Sequence, residues 1–313
     1  EAVVTVDDSG NITAVGEGVA IITATSNEVN TVSASCNINV TPPPPPSIGA
    51  GADTHEAHEI KYTWEELSKL AKLISDNYGT EVGQVNNDTV EVAVSINGKE
   101  DTLGIGDWTT VDGYQVRILG FNHDELADQT IYGGTNTYAG ISFEFAECIG
   151  TDQVNSSNTN AGGWGACELR GTLNSTTLDS LENKEYIKEV NKEYIATYNN
   201  ASSVTKASDK LWLLSCSEIW NNGISGKNYG FAVAKEGEQY KYYKTVNPTA
   251  DGSFEESSLV RKNSGTKVTW WLRSPGSSYS GYFCNVTAVG RCGVPNANLY
   301  TSKSHGIAPG FAI

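Results

Sequence analysis

Cysteines and histidines are the residues of this chain best suited to metal or redox chemistry, and their spacing favours neither. Cys36, Cys148, Cys167, Cys216, Cys284 and Cys292 include no pair at the C-x-x-C spacing of a zinc knuckle. They fall one per expected element, as small buried hydrophobes do. An even count permits disulfides in an oxidising compartment, but spacing assigns none. His55, His58, His123 and His305 are dispersed and point neither to a metal site nor to a triad. Asn122, Asp124, Asp128 and Asp152 lie in loop-rich sequence and could hold a structural Ca²⁺, although such residues also serve as solvated turn formers. That Ca²⁺ aside, no cofactor is expected.

What remains is the chemistry of recognition. Residues 276–305 contain no Asp, Glu, Gln, Met, Trp or Ile, and are dominated by Ser, Gly, Tyr, Asn and other small residues. Antibody-like surfaces use the same set: Tyr gives contact area at low entropic cost, and Ser, Gly and Asn adapt. The plain alternative is an ordinary Gly/Ser-rich surface hairpin. Just before this stretch stands Trp270-Trp271-Leu272-Arg273-Ser274-Pro275. Neighbouring side chains of a strand point to opposite faces, so one Trp enters the core and the other packs a second layer.

The elements that must carry such a surface can be read upstream. Residues 1–41 read as strands: Val3–Val6 is β-branched, and Val32, Ala34, Cys36, Ile38 and Val40 alternate with polar residues. Pro42 to Pro46 is a stiff polyproline run, and residues 42–58 read as a linker. Thr63-Trp64-Glu65-Glu66 is a capping box opening a helix whose apolar face is Leu67, Leu70, Ala71 and Ile74, with Gly79 as its C-cap. Asn97-Gly98 and Asp112-Gly113 mark two hairpins. A helical pattern runs from about Leu178 to Tyr198. Leu211–Leu214 reads as a buried strand, Ser215–Glu218 as a second capping box, Tyr240–Tyr243 as a strand, and residues 306–313 as a closing strand.

The formal net charge is −16, so nucleic acid is not an expected partner. No Asp or Glu follows Glu256. The chain carries no run of about 18 apolar residues, so no membrane insertion is expected.

Two resemblances follow from the motifs. VDDSGNITAVGEGVAIITATS resembles the second half of a bacterial group-2 immunoglobulin-like domain, a module used as a stalk on bacterial surface and phage tail proteins. TVDGYQVRILGFNHDELAD, GGWGACELRGTLN, KLWLLSCSEIW and WWLRSPGSSYSGYFCNV…GIAPGF, in this order, resemble a family of bacterial and phage domains marked by WW-x-RSP. That family is similar in fold to C-type lectins and formylglycine-generating enzymes, and many members look like variable proteins of diversity-generating retroelements. The resemblance implies an α+β, C-type-lectin-like head over residues 59–313 preceded by a partial all-β Ig-like module, with a variable region at about 270–313. In those systems, mutated adenines turn Asn codons into many others, though never into Glu, Gln, Lys, Met or Trp. Between positions 276 and 305 only Lys303 departs from that set.

The resemblance also sorts the residues. Trp270, Trp271, Arg273, Pro275, Phe283, Cys284, Val286, Gly290, Gly306, Pro309 and Phe311 are expected as scaffold. Ser277, Tyr279, Gly281, Tyr282, Asn285, Thr287, Val289, Arg291, Gly293, Val294, Asn296, Asn298, Leu299, Tyr300, Ser302 and His305 are expected to face the ligand, with Tyr279, Tyr282, Arg291 and Tyr300 contributing most. The implied function is non-catalytic binding of a cell-surface protein or glycan receptor, outside the cell, on a phage virion or a bacterial surface. A homo-oligomer is allowed. The rival is an oxidase of the formylglycine-generating type, which needs Cys284 and Cys292 exposed, paired and able to bind copper.

Overall fold

Turn residues and β-branched runs dominate the local structure. In a computed structural model, which describes residues 2–196, 203–220, 236–248, 257–276, 280–292 and 300–313, strand outweighs helix, 37% against 16%. The chain divides into two units, Glu1–Pro45 with Ile96–Lys99, and Pro46–Ser95 with Glu100–Ile313.

The first unit holds two hairpins. β1 (Val4–Val6) pairs with β2 (Ile12–Ala14) around a turn in which Asp7 Oδ1 accepts from the backbone of Ser9 and Asn11. β3 (Gly18–Thr25) pairs with β4 (Ser33–Val40) from Gly18↔Val40 to Thr25↔Ser33. Two-stranded ribbons cover little surface. Val19 and Ile21 are therefore 66% and 69% exposed, and Cys36 is exposed rather than buried as expected.

In the second unit, β5 (Ser47–Ala50) forms within the expected linker and pairs with β6 (Glu91–Ile96). Between them runs α1 (Trp64–Asp76), the longest helix among the described residues, with its capping box formed and Leu67, Leu70, Ala71 and Ile74 fully buried. Asn77, not Gly79, caps its C-terminus. β6 turns at Asn97-Gly98 into β7 (Lys99–Gly104), and β8 (Trp108–Val111) turns at Asp112-Gly113 into β9 (Tyr114–Phe121). Both dipeptides have positive φ, as a two-residue I′ turn requires. β10 (Ile141–Phe145) and β11 (Gly150–Asp152) precede the short helices α2 (Gly163–Ala166), α3 (Glu168–Thr172) and α4 (Leu178–Ser180), the last two joined by a π turn.

The expected helix at 178–198 is not formed beyond α4. Its second half is β12 (Val190–Tyr194), paired with β13 (Thr205–Asp209). The buried face of β12 is Val190 and Lys192, and a buried lysine is invisible to apolar periodicity. α5 (Cys216–Trp220) starts at the Ser215–Glu218 box, where each backbone N–H meets the other side chain. Residues 240–243 form no strand. They open α6 (Lys241–Val246), because Tyr240 and Tyr243 lie three apart and enter the core together. β14 (Arg261–Asn263) and β15 (Thr266–Val268) make a hairpin, followed by β16 (Trp270–Pro275), β17 (Phe283–Val286), β18 (His305–Ile307) and β19 (Gly310–Ala312).

Two four-stranded sheets organise this unit, in the orders β19-β10-β9-β8 and β11-β18-β16-β17. Phe311 of β19 stacks on Phe143 of β10 at 5.3 Å, and Trp64 of α1 meets Phe143 edge-on at 5.6 Å. With short helices and small sheets, the architecture corrects the expected α+β, C-type-lectin-like class: the unit is predominantly β, and the second half of the longest segment read as helical, residues 178–198, is a strand paired with β13.

Candidate functional site

The C-terminal surface is built on β16, whose six residues are all buried. Trp270 faces a cluster with Leu214, Ile219, Leu259 and Val286, and its Nε1 donates to the Leu259 carbonyl at 3.0 Å. Trp271 faces the other way, donating to the Asp152 carbonyl at 3.0 Å with its ring 4.5 Å from His305. The two indoles thus serve two layers, as strand alternation demands.

Arg273 anchors a buried polar chain. Its guanidinium donates to both Glu218 oxygens (2.5 and 2.8 Å) and to the carbonyls of Leu213, Glu193 and Glu236. Glu218 also meets the Lys192 ammonium at 2.7 Å, and Lys192 continues to Asp124 at 2.5 Å. Tyr240 and Ser142 donate to Asp124 in turn. Burial is the largest single influence and would raise the Asp124 carboxyl, but the charges and hydrogen bonds of Lys192 and His123 together outweigh it and hold the group well below the usual carboxylate range. Glu236 is also buried, without a cation on its carboxylate, and burial pushes it up to about 7.

On this base, β17 and the following residues form a frame. Tyr282 and Tyr300 pair across it, their rings stacked at 4.8 Å. Val286 pairs with Cys292, and between them the Thr287 N–H donates to the Arg291 carbonyl at 2.7 Å through a turn with Gly290 at φ +81°. Residues 155–160 buttress the frame: Asn160 Nδ2 donates to the Tyr282 carbonyl, Thr301 Oγ1 to the Ser157 carbonyl, and Ser302 Oγ to Asn158 Oδ1.

The eleven expected scaffold residues, from Trp270 to Phe311, are all buried. Of the expected ligand-facing residues, Val289 is exposed, and Tyr282, Thr287, Arg291, Tyr300, Ser302 and His305 are half-buried. Two expectations need correction. Asn285 is 1% exposed, opposite Trp271 in the sheet register. Gly281 is buried, and a Cβ there would stand 3.2 Å from the Asn158 carbonyl oxygen. Neither can vary freely. Ser277, Tyr279, Gly293, Val294, Asn296, Asn298 and Leu299 lie outside the described residues.

Cys284 and Cys292 are 0% and 3% exposed, packed with Cys216 in one cluster. Burial pushes both thiols well above their ordinary range, so the exposure that an oxidase needs is not met. The four residues considered for Ca²⁺ make other contacts, and only the Asn122 Oδ1 is buried without a partner among them. Asn122 donates to the Ile74 and Val85 carbonyls, Asp124 holds Lys192, Asp128 caps Thr130, and Asp152 binds the Gln153 N–H.

Two features were not anticipated. One is a cavity of about 570 Å³ lined by Ile105, Trp108, Arg117, Tyr242 and Val246, with the Arg117 guanidinium 4.3 Å over the Tyr242 ring. The other joins His55, His58 and Asp107. The three-residue spacing of the histidines was its one visible signal; the aspartate lies 49 positions beyond His58.

No curated protein and no solved structure matches the chain. A family model described as a domain of unknown function, DUF6273, matches residues 140–313, which include β16, the frame and all of the buried polar chain except Asp124. Those residues make up more than half of the sequence, and the protein belongs to the DUF6273 family.

Proposed function

We propose that the protein is a non-catalytic binding protein whose C-terminal frame presents interchangeable side chains to a receptor. The observation that supports this reading is the division of residues 270–305 by burial. The strand core and its arginine lie inside, held by partners elsewhere in the chain, while Thr287, Val289, Arg291, Tyr300, Ser302 and His305 keep exposed surface. Backbone shape then rests mainly on the buried core and the backbone pairings, with side-chain hydrogen bonds added at two of those positions, Thr287 and Ser302, and a diversified surface requires such independence. The stacked Tyr282–Tyr300 pair supplies the large aromatic area that dominates binding energy at interfaces. The partner is a cell-surface protein or glycan, and the setting a phage tail tip or a bacterial surface.

The test is a displayed library randomised at 287, 289, 291, 300 and 302. Most members are expected to fold with melting temperatures near the parent, and selection against unrelated proteins is expected to yield specific binders. A library that mostly fails to fold overturns the reading. Adjacent DNA carrying a near-copy of codons 276–305, differing at adenines, would add the mechanism of variation.

A further inference from the structure

The His55–Asp107 cluster lies outside the C-terminal frame. His55 Nε2 stands 2.5 Å from Asp107 Oδ1, and His58 Nδ1 stands 3.2 Å from the same oxygen. The outer nitrogen of each ring meets a further carboxylate: His55 Nδ1 is 2.6 Å from Glu91, and His58 Nε2 is 3.7 Å from Asp101. His55 therefore has a carboxylate at hydrogen-bond distance from each nitrogen, whereas the Asp101 contact of His58 is longer than a hydrogen bond. A neutral imidazole has one N–H, so one nitrogen of His55 would turn a lone pair on an anionic oxygen. A divalent cation between the two rings and Asp107 would receive that lone pair.

We propose that His55 Nε2, His58 Nδ1 and Asp107 Oδ1 bind a first-row divalent transition ion of the zinc class, with Glu91 orienting the His55 ring from behind. Histidine ligands that pass their second nitrogen to a carboxylate are the usual arrangement around such ions. The three ligand atoms lie within 4.8 Å of one another. Tetrahedral zinc with bonds near 2.0–2.1 Å needs ligand atoms about 3.3 Å apart, so the His55–Asp107 contact need open by less than about 1 Å. The surroundings hold the set in place. Asp107 Oδ2 accepts from the Gly104 N–H at 2.7 Å, and Oδ1 from the His58 N–H at 2.8 Å. A Cβ at Gly104 would stand 2.2 Å from the His55 ring, so the loop is shaped to that imidazole. Three protein ligands leave a fourth position for water, and His55 also lines the 570 Å³ cavity.

The full chain, purified with chelator and a reductant, is titrated with Zn²⁺ by calorimetry and with Co²⁺ by visible absorption. One equivalent is expected to bind, raising the melting temperature and giving the Co²⁺ bands of nitrogen and oxygen ligation without a thiolate charge-transfer band. His58→Ala and Asp107→Asn are expected to lose this uptake, and Glu91→Gln to weaken it by roughly 10- to 100-fold. Cys216→Ser with Cys284→Ser is expected to leave it unchanged. His58 is partly exposed, so its variant should keep the parent circular dichroism and remain informative if Asp107→Asn unfolds. No stoichiometric uptake by the parent, or equal uptake by folded His58→Ala, would overturn the proposal.

Discussion

β16 and the frame that follows it are adjacent in sequence but held in place by different forces. In β16, charge is buried beside charge: Arg273, Glu218, Lys192 and Asp124 form one chain of ion pairs with their oxygens shared among several donors. In the frame, cohesion comes from backbone pairings at Tyr282↔Tyr300 and Val286↔Cys292, together with polar contacts from residues 155–160. The first arrangement punishes the loss of a partner, because an uncompensated buried ion remains. The second depends little on side-chain identity at Val289 and Arg291, and more at Ser302, whose hydroxyl holds Asn158. Substitutions on the two sides should therefore differ in cost by several kcal/mol.

The largest effect tests the locked side. Arg273→Met leaves the buried Glu218 short of its main cation and is expected to cost about 3–5 kcal/mol in urea denaturation. A cost under about 1 kcal/mol would erase the contrast between the two regions. Next, Gly281→Val probes where the frame stops being permissive. Its added carbons meet the Asn158 carbonyl and the Tyr300 ring, and a loss of about 1–3 kcal/mol is expected.

A third test uses pH. Burial raises Glu236 to about 7, so the stability tied to its protonated form is complete below about pH 4.5 and is lost as pH rises through about 7. Glu236→Gln stays neutral throughout. It should raise the melting temperature at pH 8, corresponding to about 1–2 kcal/mol, and leave it nearly unchanged at pH 4.5. Equal shifts at both pH values would mean that the carboxyl is not the titrating group. The smallest effect is expected at the rim: Val289→Ser and Arg291→Ser should each change stability by less than about 0.5 kcal/mol while altering receptor binding.

What the sequence revealed follows the range of the forces involved. Asn97-Gly98 and Asp112-Gly113 were legible because a turn of two positive-φ residues imposes its demand locally. The capping boxes at Thr63 and Ser215 were legible for the same reason. β12 was not: Ile187, Val190, Tyr194 and Ile195 fit a helix face, and pairing with residues 205–209 decided otherwise. The Tyr240–Tyr243 segment erred in the opposite direction, since β propensity lost to two tyrosines entering one core. At the candidate surface, fixed and variable residues were separable by type, but Asn285 and Gly281 were not. Their confinement comes from Trp271 across the sheet and from Asn158, more than a hundred positions away.

The Val286–Cys292 bridge has a consequence for chain length. Residues 287–291 lie between its ends as a closed segment, and the conformational cost of closing such a segment grows only with the logarithm of its size. Doubling its length would cost about 0.6 kcal/mol, in addition to the Thr287–Arg291 backbone hydrogen bond, worth about 1 kcal/mol. Insertions there should cost little more than point changes, so homologous chains are expected to differ in reach as well as in surface chemistry.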